Sequence, residues 1–263
     1  MLLENKTAVI YGAGGGIGAG VSRTFAREGA RVFLVGRTRE KLEPVAADIR
    51  AAGGQAELAV LDVLNEQAVE EHMNSVASRA GHIDISFNLI NRGDVQGIPL
   101  LEMTPADLTR AVVTGLTANF ISARAAARRM IEQKSGVILM LTSASSEVTP
   151  PMMGSTAPAD AALEAFMHTL AAEIGPHGVR VLGLWTAAVR ETLTPEKIAG
   201  VNSNMVMDAA ALEQMLQGIA GMTMLRRSPV LAQVADTAAF LASDRASGIT
   251  GTIVNVTCGM VSR

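Results

Sequence analysis

Tyr11-Gly12-Ala13-Gly14-Gly15-Gly16-Ile17-Gly18 directly follows a short apolar run, Thr7–Tyr11, and opens an Ala-rich stretch with helical spacing. Glycine at 12 permits a tight turn, glycine at 16 lets the backbone approach a ligand closely, and glycine at 18 lets helix pack against strand. A helix that begins at such a loop points its unpaired amides and positive dipole end at whatever sits there, which favours an anion. A bare turn would also use glycines, but the order strand, loop, helix points to a dinucleotide pyrophosphate cradle formed by Gly12, Gly16, Ile17 and Gly18.

Working outward, short β-branched or aliphatic runs recur at Arg31–Val35, Ala56–Leu61, Ile83–Leu89, Val137–Leu141, Val179–Leu184 and Thr252–Val256. Between them lie longer stretches of helical spacing, 17–28, 39–52, 66–80, 105–133, 157–174 and 231–242. Strand alternating with helix predicts an α/β fold: a Rossmann-type, doubly wound parallel sheet of about seven strands in three αβα layers. Thr104-Pro105 followed by Asp107 predicts a capped helix start. The segment 190–228 breaks the rhythm and is rich in methionine, with Met205, Met207, Met215, Met222 and Met224. It reads as a lid over an apolar ligand or as core or subunit-interface packing, because methionine adapts to irregular surfaces. The whole chain, 1–263, reads as one domain carrying that insertion.

The second strand ends at Val35-Gly36-Arg37, where such folds meet the adenosine ribose. A neutral glycine followed by a cation suits a 2′-phosphate better than a free 2′-hydroxyl, so NADP(H) is expected over NAD(H), unless Arg37 only decorates a helix start. Asp62-Val63 follows the third strand, where the carboxylate meets an adenine amino group or caps the helix at 66–80.

The net charge of −3 leaves no basic surplus for a nucleic-acid partner. Cys258 is the only cysteine, which excludes an internal disulfide and fits a reducing cytoplasm. Glu4 and Lys6 interrupt the start of the chain, and no apolar run reaches the length of a spanning helix, so no membrane association is expected. His72, His82 and His177 fall in surface helices or turns by their spacing, and no metal-ligand pattern appears.

With these motifs in place, the chain resembles the short-chain dehydrogenase/reductase family over nearly its whole length. The glycine loop is similar to the family's Thr-Gly-x-x-x-Gly-Ile-Gly, with Tyr11 for the threonine, and Asp62-Val63 is similar to its adenine-site pair. Val234-Ala235 through Phe240-Leu241-Ala242-Ser243-Asp244, then Ile249-Thr250-Gly251-Thr252, resembles its last helix and strand. Asn88-Leu89-Ile90-Asn91 keeps only the first residue of its Asn-Asn-Ala-Gly, so Asn88 joins the cofactor site. Thr186-Ala187 replaces its Pro-Gly pair.

The resemblance implies a catalytic serine, tyrosine and lysine supported by an asparagine. Gly136 through Ser143 places the serine at Ser143. Ala161 through Phe166 aligns with the helix after the lysine, so the tyrosine falls on Thr156 and the lysine on Asp160. The asparagine falls on Gly115, with Asn119 one turn further on. Slipping the alignment restores nothing, because Tyr11 is the only tyrosine and the lysines are Lys6, Lys41, Lys134 and Lys197. Thr156 has no accessible acidity and Asp160 is an anion where a cation belongs, so tyrosine-driven reduction is excluded. The replacements read either as a helix start, with Ser155 or Thr156 capping and Asp160 meeting the dipole, or as a new site in which Asp160 is a base and Ser143 and Thr156 bind a substrate oxygen. His168, Glu147 and the Arg190-Glu191 pair are weaker candidates.

The expected function is an NADP(H)-dependent oxidoreductase with a rebuilt site, acting on a small lipophilic carbonyl, alcohol or enone. The alternatives are a non-redox enzyme (lyase, isomerase or cyclase) using Asp160, and a catalytically silent subunit or sensor. The family resemblance implies a homodimer or homotetramer through the helices at 105–133 and 157–174, or a hetero-oligomer with an active relative.

Overall fold

The structure is a computed structural model that describes residues 1–148, 151–202 and 207–262. Seven strands form one sheet: β1 (Thr7–Tyr11), β2 (Arg31–Gly36), β3 (Gln55–Val60), β4 (Ile85–Asn88), β5 (Gly136–Ser143), β6 (Val179–Thr186) and β7 (Thr252–Val256). Their order is β3-β2-β1-β4-β5-β6-β7, and every pairing is parallel. The long helices are α1 (Gly16–Arg27), α2 (Arg39–Ala51), α3 (Glu66–Ala80), α4 (Pro105–Gln133), α5 (Thr156–Ile174), α6 (Pro195–Val201), α7 (Ala209–Met222) and α8 (Leu231–Ala242). This is the three-layer Rossmann-type architecture that the strand and helix spacing predicts.

The central strands read as continuous apolar runs because both faces are covered. All of β1 and β4 is buried. One core layer joins the sheet to α1, α2 and α8 through Val21, Phe25, Leu42, Ile49 and Leu241. The other joins it to α3, α4 and α5 through Met73, Val76, Met130, Leu163 and Met167. His72 belongs to this second layer and is buried, not on the surface: its ring stands edge-on to Phe33, with centroids 6.4 Å apart.

The strand order reverses between β1 and β4, so their C-terminal ends open the crevice where open α/β sheets bind ligands. Tyr11 lies in register with both Val35 and Asn88, and Ser143 with Thr186, which sets the ends of β1, β2, β4, β5 and β6 along one edge. Thr104 caps α4 by accepting from the Asp107 amide, with Pro105 in the first turn, as its sequence dictates. β4 starts two residues later than its apolar run because the Gln133 side chain satisfies the Ile83 backbone in place of a ladder bond, at 3.0 and 2.9 Å.

The segment 190–228 holds α6 and α7. Leu216 is the only residue of α7 that is fully buried, while Met222, Met224 and Leu225 are exposed; Met205 lies outside the described residues. The exit of this segment is laced to the region after β7, since the amides of Met224 and Leu225 donate to the carbonyls of Gly259 and Cys258 at 3.1 Å each.

Candidate active site

The glycine loop is built for close approach. Gly12 adopts φ +75°, and a Cβ there would overlap the Leu89 carbonyl, while a Cβ on Gly18 would overlap the Gly12 carbonyl. The cap of α1 is Gly15, with no side-chain bond, and no acid occupies the first turn. The amides of that turn are thus open to an anion from outside the helix.

Arg37 is exposed at the end of β2, and among the described residues no carboxylate pairs with it, whereas nearby Arg39 is tied to Glu43 at 2.9 Å. Lys41 of α2 packs its Cβ against Gly14, where an added Cβ would stand 2.8 Å away. That brings a second cation beside the loop which the sequence reading missed; its place in the first turn of a helix starting next to Arg37 was the available signal. Asp62 does not cap α3. Asn65 does, accepting from the Ala68 amide, and Asp62 instead accepts from the Leu64 amide at 3.0 Å in a tight local turn. Asn88 spends both ends of its amide inside the protein, donating to Ser122 at 3.0 Å and accepting from the Ile90 amide at 3.2 Å, and so shapes the bend after β4.

The second cluster forms where β5 ends and α5 begins. Asp160 is completely buried. Its Oδ2 accepts from the Ser143 hydroxyl at 2.5 Å, the Ser145 hydroxyl at 2.7 Å and the Ser143 amide at 3.1 Å. Its Oδ1 faces the Arg92 guanidinium at 2.6 Å. Arg92 also grips Asp94 through Nε at 3.0 and 3.1 Å. Burial pulls the Arg92 pKa down, but the Asp160 and Asp94 carboxylates overcome that and hold it above the ordinary arginine value.

Gly115 makes this arrangement possible. A Cβ at that position would stand 2.9 Å from Cδ of Arg92, so a side chain there would displace the guanidinium stem. Three residues therefore form one unit: a carboxylate on α5, a glycine on α4, and an arginine after β4 that pairs with the first and packs against the second. Arg92 was missed in the sequence; the signal was Asp160 itself, since a buried carboxylate demands a charged partner.

α5 does start here, at Thr156, with Ser155 in the N-cap position and Pro158 in the first turn, but neither the side-chain cap nor the dipole role expected of Asp160 is formed. Asp160 turns to Ser143, Ser145 and Arg92, and α5 has no side-chain cap: Ser155 accepts from the Val95 amide at 2.9 Å instead. Thr156 is buried and accepts from the Gln96 amide at 2.8 Å, which leaves its own hydroxyl hydrogen free to donate. Asn119 donates back to the Gly115 carbonyl at 2.9 Å and is no substitute relay. One turn beyond Asp160, Glu164 accepts from Thr142, Ser146 and the Trp185 indole at 3.1, 2.9 and 2.7 Å. His168 binds the Gly251 carbonyl on an exposed face, and Arg190 pairs with Glu213; neither joins the cluster. Tyr11 is wholly buried, its hydroxyl meets no hydrogen-bond partner among the described residues, and burial followed by the Glu70 charge raises its pKa far from any acid role. Among the described residues no cluster of metal-ligating side chains occurs, and no helix is long and apolar enough to cross a membrane.

Comparison with known proteins agrees with this architecture. The family model described as enoyl-(acyl carrier protein) reductase matches residues 12–261. The chain is 31% identical over 265 residues to 7α-hydroxysteroid dehydrogenase of Escherichia coli K12, covering 98% of this chain and 95% of that one. It is 30% identical over 197 residues to gluconate 5-dehydrogenase of Gluconobacter oxydans, covering 75% and 76%. Among solved structures, NAD+-bound xylitol dehydrogenase superposes with a TM-score of 0.86 at 27% identity, over 98% of this chain and all of that one.

Proposed function

Because this chain belongs to the short-chain dehydrogenase/reductase family, we propose that it is an NADP(H)-dependent oxidoreductase interconverting a small lipophilic alcohol and its carbonyl through a rebuilt Ser143–Asp160 centre. The residues fit the cofactor. Gly12, Gly16, Ile17 and Gly18 form a cradle that side chains would fill, Arg37 and Lys41 offer cations for a 2′-phosphate, Asp62 and Val63 line the adenine end, and Asn88 holds the floor. When bound there, NADP(H) would supply the hydride acceptor or donor for the substrate's carbinol carbon.

The observation that carries the chemistry is the 2.5 Å hydrogen bond from the Ser143 hydroxyl to the buried Asp160 carboxylate. With its hydrogen given to Asp160 and one lone pair taking the Ser145 amide at 3.3 Å, Ser143 accepts the O–H of an alcohol on the other, while Thr156 donates to the same oxygen. As hydride leaves carbon, the alcohol proton moves to Ser143 Oγ and the Ser143 proton moves to Asp160 Oδ2. Arg92 supplies the charge that balances the buried carboxylate, and slow turnover without the usual tyrosine follows. The hydroxysteroid specificity in the name of one relative, and the apolar residues of 190–228, support a lipophilic substrate.

Exposed Val113 and Phe120 on α4 support pairing of two copies of this chain through α4 and α5. The single cysteine supports a cytoplasmic setting.

Single-turnover mixing of the protein and NADP+ with a panel of lipophilic secondary alcohols, and of NADPH with the matching ketones and enones, tests this reading by nicotinamide absorbance. Turnover that falls about 100-fold or more in Asp160→Asn and in Ser143→Ala is expected. Full turnover in Asp160→Asn would eliminate the relay. Tight cofactor binding with no turnover would favour the second reading, a silent cofactor-binding subunit, which the burial of Asp160 in its ion pair with Arg92 also supports. A non-redox role with Asp160 as free proton carrier has less support, since its oxygens are already committed.

A further inference from the structure

We propose that Lys197, carried on α6 of the lid, is a ligand for the cofactor's pyrophosphate and couples cofactor binding to lid position; this rests on the cofactor reading above. The short 3-10 turn Arg190–Thr192 and α6 lie directly on the glycine loop. A Cβ added to Gly16 would stand 2.9 Å from Nζ of Lys197 and 3.0 Å from two side-chain carbons of Thr192. Nζ donates to the Thr192 carbonyl at 2.6 Å, and among the described residues no carboxylate lies within ion-pair distance of it. The ammonium is therefore held beside the first residue of α1 without a counter-charge.

That placement is electrostatically one-sided. The N-terminus of α1 already carries the positive end of a helix dipole, and its first turn contains no acid. A cation and a dipole of the same sign repel unless an anion lies between them, and a diphosphate fits that gap, bonded by helix amides on one side and by the ammonium on the other. Partial burial also pulls the Lys197 pKa down, a cost that a bound anion reverses. Thr194 caps α6 by accepting from the Lys197 amide, which fixes the root of the side chain. Arg37 and Lys41 lie beside the far edge of the loop at the ribose end, so their contribution is separable from that of Lys197.

The test titrates NADPH and NADH into the full chain by calorimetry, with limited proteolysis of 190–228 as a second readout. Lys197→Met is expected to weaken both cofactors about 10- to 100-fold, to flatten the salt dependence of binding, and to abolish NADPH protection of the lid. Lys197→Arg is expected to retain most affinity and protection, which also controls for folding. Unchanged affinity in Lys197→Met, or a loss confined to NADPH, would overturn the assignment. If the unaltered chain binds neither cofactor, the cofactor reading fails first and takes this one with it.

Discussion

The Arg92 guanidinium stands 2.6 Å from the fully buried carboxylate of Asp160. Removing one member strands the other charge in a dry interior, which costs far more than the pair itself contributes. Arg92→Met is expected to lower stability by about 3 to 5 kcal/mol, while Arg92→Met/Asp160→Asn recovers much of that loss. Urea unfolding of the two single variants and the double variant measures the coupling; additive losses would mean that the pair is not a unit.

The same geometry governs any attempt to place a tyrosine and a lysine at positions 156 and 160. Thr156→Tyr/Asp160→Lys places a lysine against Arg92 and is expected to give a destabilised protein with no gain in ketone reduction. Adding Arg92→Ala and Gly115→Asn removes the opposing charge and fills the space on α4, and of the two variants only this fourfold one is expected to gain ketone reduction. Steady-state NADPH consumption compares the two.

Arg37 is the proposed determinant of NADPH over NADH. Losing a charge-assisted contact to a 2′-phosphate costs about 1.5 to 3 kcal/mol, so Arg37→Ala is expected to cut the NADPH-over-NADH preference about tenfold or more. The ratio of the two dissociation constants reads this directly. An unchanged ratio with a fall in Lys41→Ala would move the phosphate contact to the helix.

His72 should make the fold acid-sensitive. Burial first, then the nearby Arg79 charge, lower its pKa to about 4 from the ordinary 6.5. The folded value lies below the unfolded one, so the unfolded chain takes up the proton more readily. Stability is full above pH 6.5 and drains as pH falls toward about 4, by about 3 kcal/mol in total from this residue. Chemical denaturation across that window is expected to show a flatter profile in His72→Leu than in the unaltered chain.

What sequence alone revealed follows from how local each signal is. The glycine loop, the Thr104 cap and the apolar strands are written in neighbouring residues, and their positions match within one or two residues. The start of β4 was misplaced because its boundary is set by Gln133, from the far end of α4. The surroundings of Asp160 were illegible for the same reason. Its cation comes from the loop after β4 and depends on an absent side chain at Gly115, so three elements must meet before the carboxylate's role can be read. His72 looked like a surface residue because its helix is polar around it, and only the docking of α3 on β2 buries its ring.

The lacing of Met224 and Leu225 to Cys258 and Gly259 gives the molecule a built-in sensor. Cys258 is the only thiol in the sequence, it is partly accessible, and its backbone is bonded to the exit of the segment 190–228. A single environment-sensitive dye attached there needs no engineered cysteine and no background removal, and its emission reports on the segment that carries Lys197 as ligands come and go.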